Sequence, residues 1–197
     1  MEQIFQFDQS AFFAINHGWQ NDFFDWLMPW WREKTTWIPL YVLLLALVWF
    51  RKSRRFFLCF VIGIGLTVGI SDTVSSKVIK PSVERLRPCR TPDVQDRVTV
   101  RVNCGPGYSF PSSHATNHFA IGVFVMLALW SLLGPWRWLL PLWAGSISVG
   151  QVYVGVHFPI DITAGMLIGS AIGAGVAFGL KNVCKQMSGS VSENIEA

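Results

Sequence analysis

Three short clusters hold the residues best able to do chemistry. In the first, Lys80 and Arg87 stand seven residues apart in a stretch where Pro81 and Pro88 break a helix. Two such cations can hold a phosphate, Arg by a bidentate fork and Lys as a point charge. Read alone, they fit better as an interfacial anchor that snorkels to lipid headgroups. The second cluster runs from Phe110 through Pro111, Ser112 and Ser113 to His114. Pro and Ser open helices, and a helix start offers free N–H groups and a positive dipole end to an anion. The plainer reading is a capped helix start with an incidental histidine. In the third cluster, His157 precedes Asp161 by four residues. A carboxylate on one imidazole nitrogen fixes the tautomer and leaves the other nitrogen nucleophilic. Each pattern alone is common. Together they offer cations, an anion cradle and an oriented imidazole.

The elements that position these clusters are apolar. The chain has 197 residues, 51% hydrophobic and 14% charged, against about 25% charged in soluble domains. Mean hydropathy is +0.38. Ten Trp and fifteen Phe suit long interfacial belts. A span needs about 20 apolar residues. Candidates run over 36–50, 56–79, 113–133, 138–156 and 160–180. The expected fold is all-α: a transmembrane helical bundle of about five to six spans over residues 36–180. Residues 1–35 mix apolar and polar positions and read as an amphipathic interfacial segment; a sixth span there is the weaker alternative. Residues 181–197 turn polar and read as a flexible tail. The first ten residues carry Glu2 and Asp8 and lack a basic start, so a cleavable signal peptide is not expected.

Orientation follows from the basic residues. Arg51, Lys52, Arg54 and Arg55 form a compact turn, and Arg137 and Lys181 fall on the same side if there are five spans. That side is expected to be cytoplasmic. The opposite side then carries all three clusters. Its 80–112 loop is itself rich in arginine, which is read as serving a ligand. The net charge of +4 is spent at these two places and points to no nucleic-acid partner.

The order and spacing of the three clusters resemble the type-2 phosphatidic acid phosphatase (PAP2) superfamily, over about residues 36–180. The family pattern is Lys, six residues, Arg-Pro; then Pro-Ser-Gly-His; then Ser-Arg, five residues, His, three residues, Asp. Here it stands as Lys80 to Arg87-Pro88, then Pro111-Ser112-Ser113-His114, then His157 to Asp161. The resemblance implies that His157 is the nucleophile, forming a phospho-histidine, and that Asp161 orients it. It implies that His114 is the general acid and then the base. Lys80, Arg87, Ser112 and Ser113 would bind the phosphoryl oxygens, with no metal and no cofactor. The family's Ser-Arg pair falls on Gly150-Gln151. Gln151 can donate N–H bonds but carries no charge, and losing a charge-assisted bond should cost a few kcal/mol of transition-state stabilisation. Reduced activity is therefore expected, unless a nearby arginine such as Arg85 or Arg90 substitutes.

The implied function is a membrane phosphatase acting on a lipid phosphate or diphosphate. Polyprenyl diphosphate, phosphatidylglycerol phosphate, phosphatidic acid and the phosphates of lipid A all fit. The alternatives are transfer to another lipid, or a catalytically impaired or engineered member that binds or moves lipid phosphates. The expected setting is the bacterial inner (plasma) membrane, multi-pass, with the site on the extracytoplasmic side and membrane lipids as neighbours.

Smaller features complete the reading. Cys89 and Cys104 share the 80–112 loop, and in an oxidising compartment they are expected to pair, worth about 3 kcal/mol by loop entropy. His118 lies one helical turn beyond His114, without the further ligand a metal needs, and reads as packing. Asp72, Ser76 and Lys80 share a helical spacing, so Asp72 either steadies the site from below or makes simple interhelical bonds. Gly165, Gly169 and Gly173 form a close-contact run, used either inside the bundle or in a homodimer.

Overall fold

A computed structural model describes the backbone of residues 2–189 and the side chains of residues 2–181. The described residues are helical and loop, without a strand. Two short helices come first, α1 (Glu2–Asn16) and α2 (Asp22–Trp31). Asn21 caps α2 by accepting a hydrogen bond from the Phe24 amide. Next comes α3 (Ile38–Arg51), then α4 (Arg54–Asp72), which is capped by Ser53. The chain continues from α4 through a π-helical stretch, Thr73–Ile79, into the single turn of α5 (Lys80–Val83). A long loop leads to α6 (Ser113–Ala128) and the short α7 (Trp130–Leu133). The last two helices are α8 (Leu139–Tyr153) and α9 (Pro159–Gly189).

Among the described residues, three segments are long and apolar enough to cross a membrane: Lys34–Arg51, Arg54–Arg90 and Pro159–Lys181. The third and fourth expected spans fall on the two arms of a pair bent by 82°, Ser113–Ala128 and Trp130–Tyr153, which adds a fourth crossing if counted as one. Neither α6, at 16 residues, nor α8, at 15, reaches the usual span length. The expected turn at 134–137 falls where the chain leaves α7 for α8. The outer surface carries exposed Leu43, Phe50, Leu58, Ile62 and Leu142, as a lipid-facing wall requires. The expected tail begins inside α9, which continues to Gly189; residues 190–197 lie outside the described residues.

The bundle centres on α6, which packs against α4, α8 and α9. Its tightest seam is with α9. A Cβ at Gly165 would sit 2.8 Å from the Ser112 carbonyl oxygen, and Cβ atoms at Gly169 and Gly173 would collide with the Thr116 and Ala120 carbonyls. The glycine run therefore serves packing within the chain. It brings α9 close enough to set Asp161 beside the start of α6: the Ser112 amide donates to the Asp161 carbonyl oxygen at 3.0 Å. At the other end, Val48, Phe60, Phe124, Leu129 and Leu140 form an apolar core, next to the basic turn at 51–55.

The N-terminal pair packs on the rest of the chain. Phe12 of α1 is fully buried against Val94, Val152 and Phe158, and Met28 of α2 packs on Tyr153, Val154 and Val156. Both helices dock on the end of α8, over the polar clusters. An amphipathic pattern reports that one face is apolar, not whether lipid or protein covers it.

Candidate active site

The site forms where the ends of α2, α5, α6, α8 and α9 meet. Burial of polar groups at such ends requires hydrogen-bond partners, and tracing those partners defines the geometry. Asp161, in the first turn of α9, is fully buried. One of its oxygens accepts from Arg85 at 2.7 Å; the other accepts from the Phe158 amide at 2.8 Å and from the Ser109 hydroxyl. His157 sits in the turn between α8 and α9, 2% exposed. Its Nδ1 lies 3.2 Å from Ser109 Oγ and 3.5 Å from Asp161 Oδ2. Its Nε2 lies 3.3 Å from Arg87 Nη1. Arg87 can only donate, so Nε2 carries the lone pair and Nδ1 carries the proton. That tautomer puts the imidazole lone pair on Nε2, beside Arg87. Burial pushes the imidazole down to about 4, so the ring is neutral at pH 7.

The cavity on the Nε2 side has a volume of about 340 Å³. Arg32, Lys80, Arg87, His114, Gln151 and His157 line it, and no carboxylate does. Three cations around one small polar cavity make a site for an anion. Lys80 is aimed by the Tyr108 and Ser109 carbonyls, at 2.6 and 3.2 Å. The π-helical stretch before it turns Ser75 and Ser76 toward α6, where both bond the Ser113 hydroxyl, at 3.2 and 3.0 Å. Asp72 accepts from Ser76 and from Asn117, so the line from Asp72 through Ser76 to Ser113 supports the cavity floor. Ser112 is fully buried and caps α6, its hydroxyl accepting from the Ala115 amide. His118 donates from Nδ1 to the His114 carbonyl and lays its ring against Trp143, a packing role.

Residues 103–108 form the roof. Gly105 and Gly107 take positive φ values of 69° and 83°, which glycine adopts without strain. Cys89 and Cys104 are disulfide-bonded with a Cα separation of 6.3 Å, and Arg90 donates to the Gly105 carbonyl, so the roof is tied to the loop after α5.

The structure thus brings His157, Asp161, Ser109, Lys80, Arg87, His114 and Gln151 to one place. Three contributors had no signature in the sequence. Ser109 bridges the histidine and the aspartate. Asp8 of α1 accepts from Arg85 at 2.5 Å and caps the start of α9 through the Ile160 amide at 2.9 Å. Arg32 donates from Nε to Gln151 Oε1 at 3.0 Å. Neither arginine expected to stand in at 151 does so: Arg85 is held between Asp8 and Asp161, and Arg90 is spent on the roof.

An apolar helical bundle with a cation-lined cavity at one end, and a carboxylate-backed imidazole facing into it, defines a membrane-embedded protein that handles phosphate. Residues 56–182 match the PAP2 superfamily. The chain belongs to that superfamily, in its integral-membrane lipid phosphatase branch. It is 32% identical to the lipid A 4'-phosphatase of Bacteroides thetaiotaomicron over 158 residues, covering 78% of this chain and 68% of that protein. It is 32% identical to the undecaprenyl-diphosphatase of Sulfolobus acidocaldarius over 179 residues, covering 87% of this chain and 77% of that one. Its fold is similar to the crystal structure of a transmembrane PAP2-type phosphatidylglycerolphosphate phosphatase from Bacillus subtilis. The TM-score is 0.61 at 22% identity, over 90% of this chain and 86% of that one.

Proposed function

We propose that this chain hydrolyses the phosphate of a membrane lipid through a phospho-histidine intermediate, at the extracytoplasmic face of a bacterial inner membrane. The observation that carries the reading is the direction of His157. Its unprotonated Nε2 faces a cavity lined by three cations, while its Nδ1 edge is held by Ser109 and Asp161. In the first step Nε2 bonds to phosphorus as the ester oxygen leaves, and His114 protonates that oxygen. In the second, His114 takes a proton from water, the oxygen of that water attacks phosphorus, and the N–P bond breaks to release phosphate. The lining cations balance the charge that builds on the phosphoryl oxygens.

The sidedness rests on two features. The basic turn at 51–55, Arg137 and Lys181 lie at the end of the bundle away from the site, matching the cytoplasmic bias of Lys and Arg. The Cys89–Cys104 bond lies at the site end, where an oxidising compartment would keep it. Lipid A phosphates and polyprenyl diphosphates are the first substrates to try, because the relatives above carry those names.

The test is phosphate release from a lipid panel by detergent-purified protein, with and without an acceptor lipid. Release is expected, and His157→Ala should lower it by about 10⁴-fold or more without shifting the melting temperature. Normal turnover by that variant would sink the nucleophile assignment. Phosphate appearing on the acceptor instead of in solution would turn the reading to a transferase.

A further inference from the structure

We propose that Arg32, brought in by the N-terminal helical pair, binds the substrate phosphoryl group, and that Gln151 holds it in place to do so. The inference rests on the phosphatase reading for its substrate, but its geometry stands apart. Arg32 lies just past the end of α2, outside the matched region 56–182. Its side chain is 12% exposed, and it lines the same cavity as Lys80, Arg87, His114 and His157. Two of its three nitrogens are fixed: Nε on Gln151 Oε1 at 3.0 Å and Nη1 on Glu33 Oε1 at 2.7 Å. Gln151 has no charge, and the Glu33 carboxylate paired with Nη1 is partly exposed and lies outside the lining, so the cavity itself holds no carboxylate. Nη2 makes no hydrogen bond to the described residues, which leaves a donor for a phosphoryl oxygen.

Position 151 fits this use. Gln151 is fully buried, yet its Nε2 has no partner among the described residues. An orphaned buried donor beside a cation-lined cavity calls for an acceptor there. An arginine at 151 would set two guanidiniums against each other. A glutamine instead offers its carbonyl to Arg32 and its amide to the ligand. Gly150 lies against the arginine's stem: a Cβ there would make ordinary contact with the Arg32 Cβ, at 3.5 Å.

The N-terminal pair is fastened on both sides of Arg32. Asp25 accepts from the Tyr153 hydroxyl at 2.5 Å and from Arg101. Trp31 donates to Ser146 at 3.0 Å and accepts from Trp37 at 2.8 Å. Tyr153 and Ser146 belong to α8, the helix that carries Gln151. The charge that position 151 lacks is thus delivered by another element at a fixed place, so Gln151 does not disable this chain.

The experiment uses the full chain in detergent, with two readouts: kcat/KM for lipid phosphate hydrolysis, and the melting-temperature shift produced by inorganic phosphate. R32Q is expected to lower kcat/KM by about 10²-fold and to abolish the phosphate-induced shift, and R32K to fall between it and the wild type. The swap R32Q/Q151R should recover at least about tenfold over R32Q, because it returns one guanidinium to the same cavity. R32Q within threefold of wild type in both readouts would overturn the proposal, as would a loss that the swap leaves unrepaired. If R32Q does not fold, R32K decides by the same threefold limit. A wild type that shows the phosphate-induced shift but releases no phosphate from any lipid would fail the phosphatase reading alone; Arg32 is then judged on the shift.

Discussion

The two walls of the cavity are built on opposite rules. On the wall of the proposed nucleophile every polar atom of Asp161 is used, and His157 has a partner at each ring nitrogen. On the anion wall, Arg87 Nε and Gln151 Nε2 are buried without a partner among the described residues. An unpaired buried donor costs about 1–3 kcal/mol, so the second wall is kept at some expense to stability. A satisfied buried network holds one arrangement of the imidazole before any substrate arrives. Unsatisfied donors gain most when a phosphoryl group supplies the missing acceptors. Under the proposed mechanism, the contrast separates residues that set the rate of attack from residues that set the grip on the anion.

The sharpest way to break this contrast is Asp161→Asn. The amide keeps the shape but can present an N–H to the histidine, which favours the wrong tautomer. A comparable exchange in a Ser-His-Asp triad costs about 10⁴ in kcat, and a fall of about 10³–10⁴ is expected here. Inhibition by inorganic phosphate should change less than threefold. If phosphate inhibition weakened as much as turnover, the two walls would not be separable and the comparison would fail.

Most of the nucleophile wall is legible in the sequence, and most of what completes the anion wall is not. His157 and Asp161 lie four residues apart, a common pattern that gained meaning from its order with the other two motifs. Lys80, Arg87 and His114 lie in short ordered motifs. Arg32 meets Gln151 across 119 residues, and Asp8 meets Arg85 across 77. No local period marks either pair. Arg32 also sits among tryptophans in a segment whose pattern suits a membrane surface as well as a protein one. The helical class was legible from apolar run lengths. So was the break before α8, at 134–137; the 82° angle between the two arms was not, because hydropathy does not register a bend. Ser109 was hidden for a simpler reason: serine near a helix start is usually read as a cap.

Ser109→Ala should sharpen the comparison from the same wall with a smaller effect. The hydroxyl joins His157 Nδ1 to Asp161 Oδ2, which are 3.5 Å apart without it. That gap can close by a small ring movement, so the loss is one positioning bond and not the tautomer. A drop of about tenfold in kcat is expected, with phosphate inhibition unchanged. Ser109→Thr, which keeps the hydroxyl, should recover most of it. A variant indistinguishable from wild type would make the direct His157–Asp161 contact sufficient.

The smallest effect concerns protonation. Burial lowers the His157 pKa to about 4; the Asp161 hydrogen bond and charge oppose the shift, and Arg87 and Lys80 add to it. The nucleophile must be neutral, and a ring with this value stays neutral on acidification until about pH 4, well below the ordinary 6.5. The sign for stability follows. Between 6.5 and about 4 the unfolded chain takes up a proton on this residue and the folded chain does not, so acidification through that window favours unfolding. An NMR titration of the labelled imidazole in detergent should show no protonation at pH 5.5. In Asp161→Asn, which removes the carboxylate opposing the shift, the midpoint should move lower still. A midpoint near 6.5 in the wild type would mean that water reaches the nucleophile wall, and the wall would lose the preorganisation that sets it apart from its neighbour.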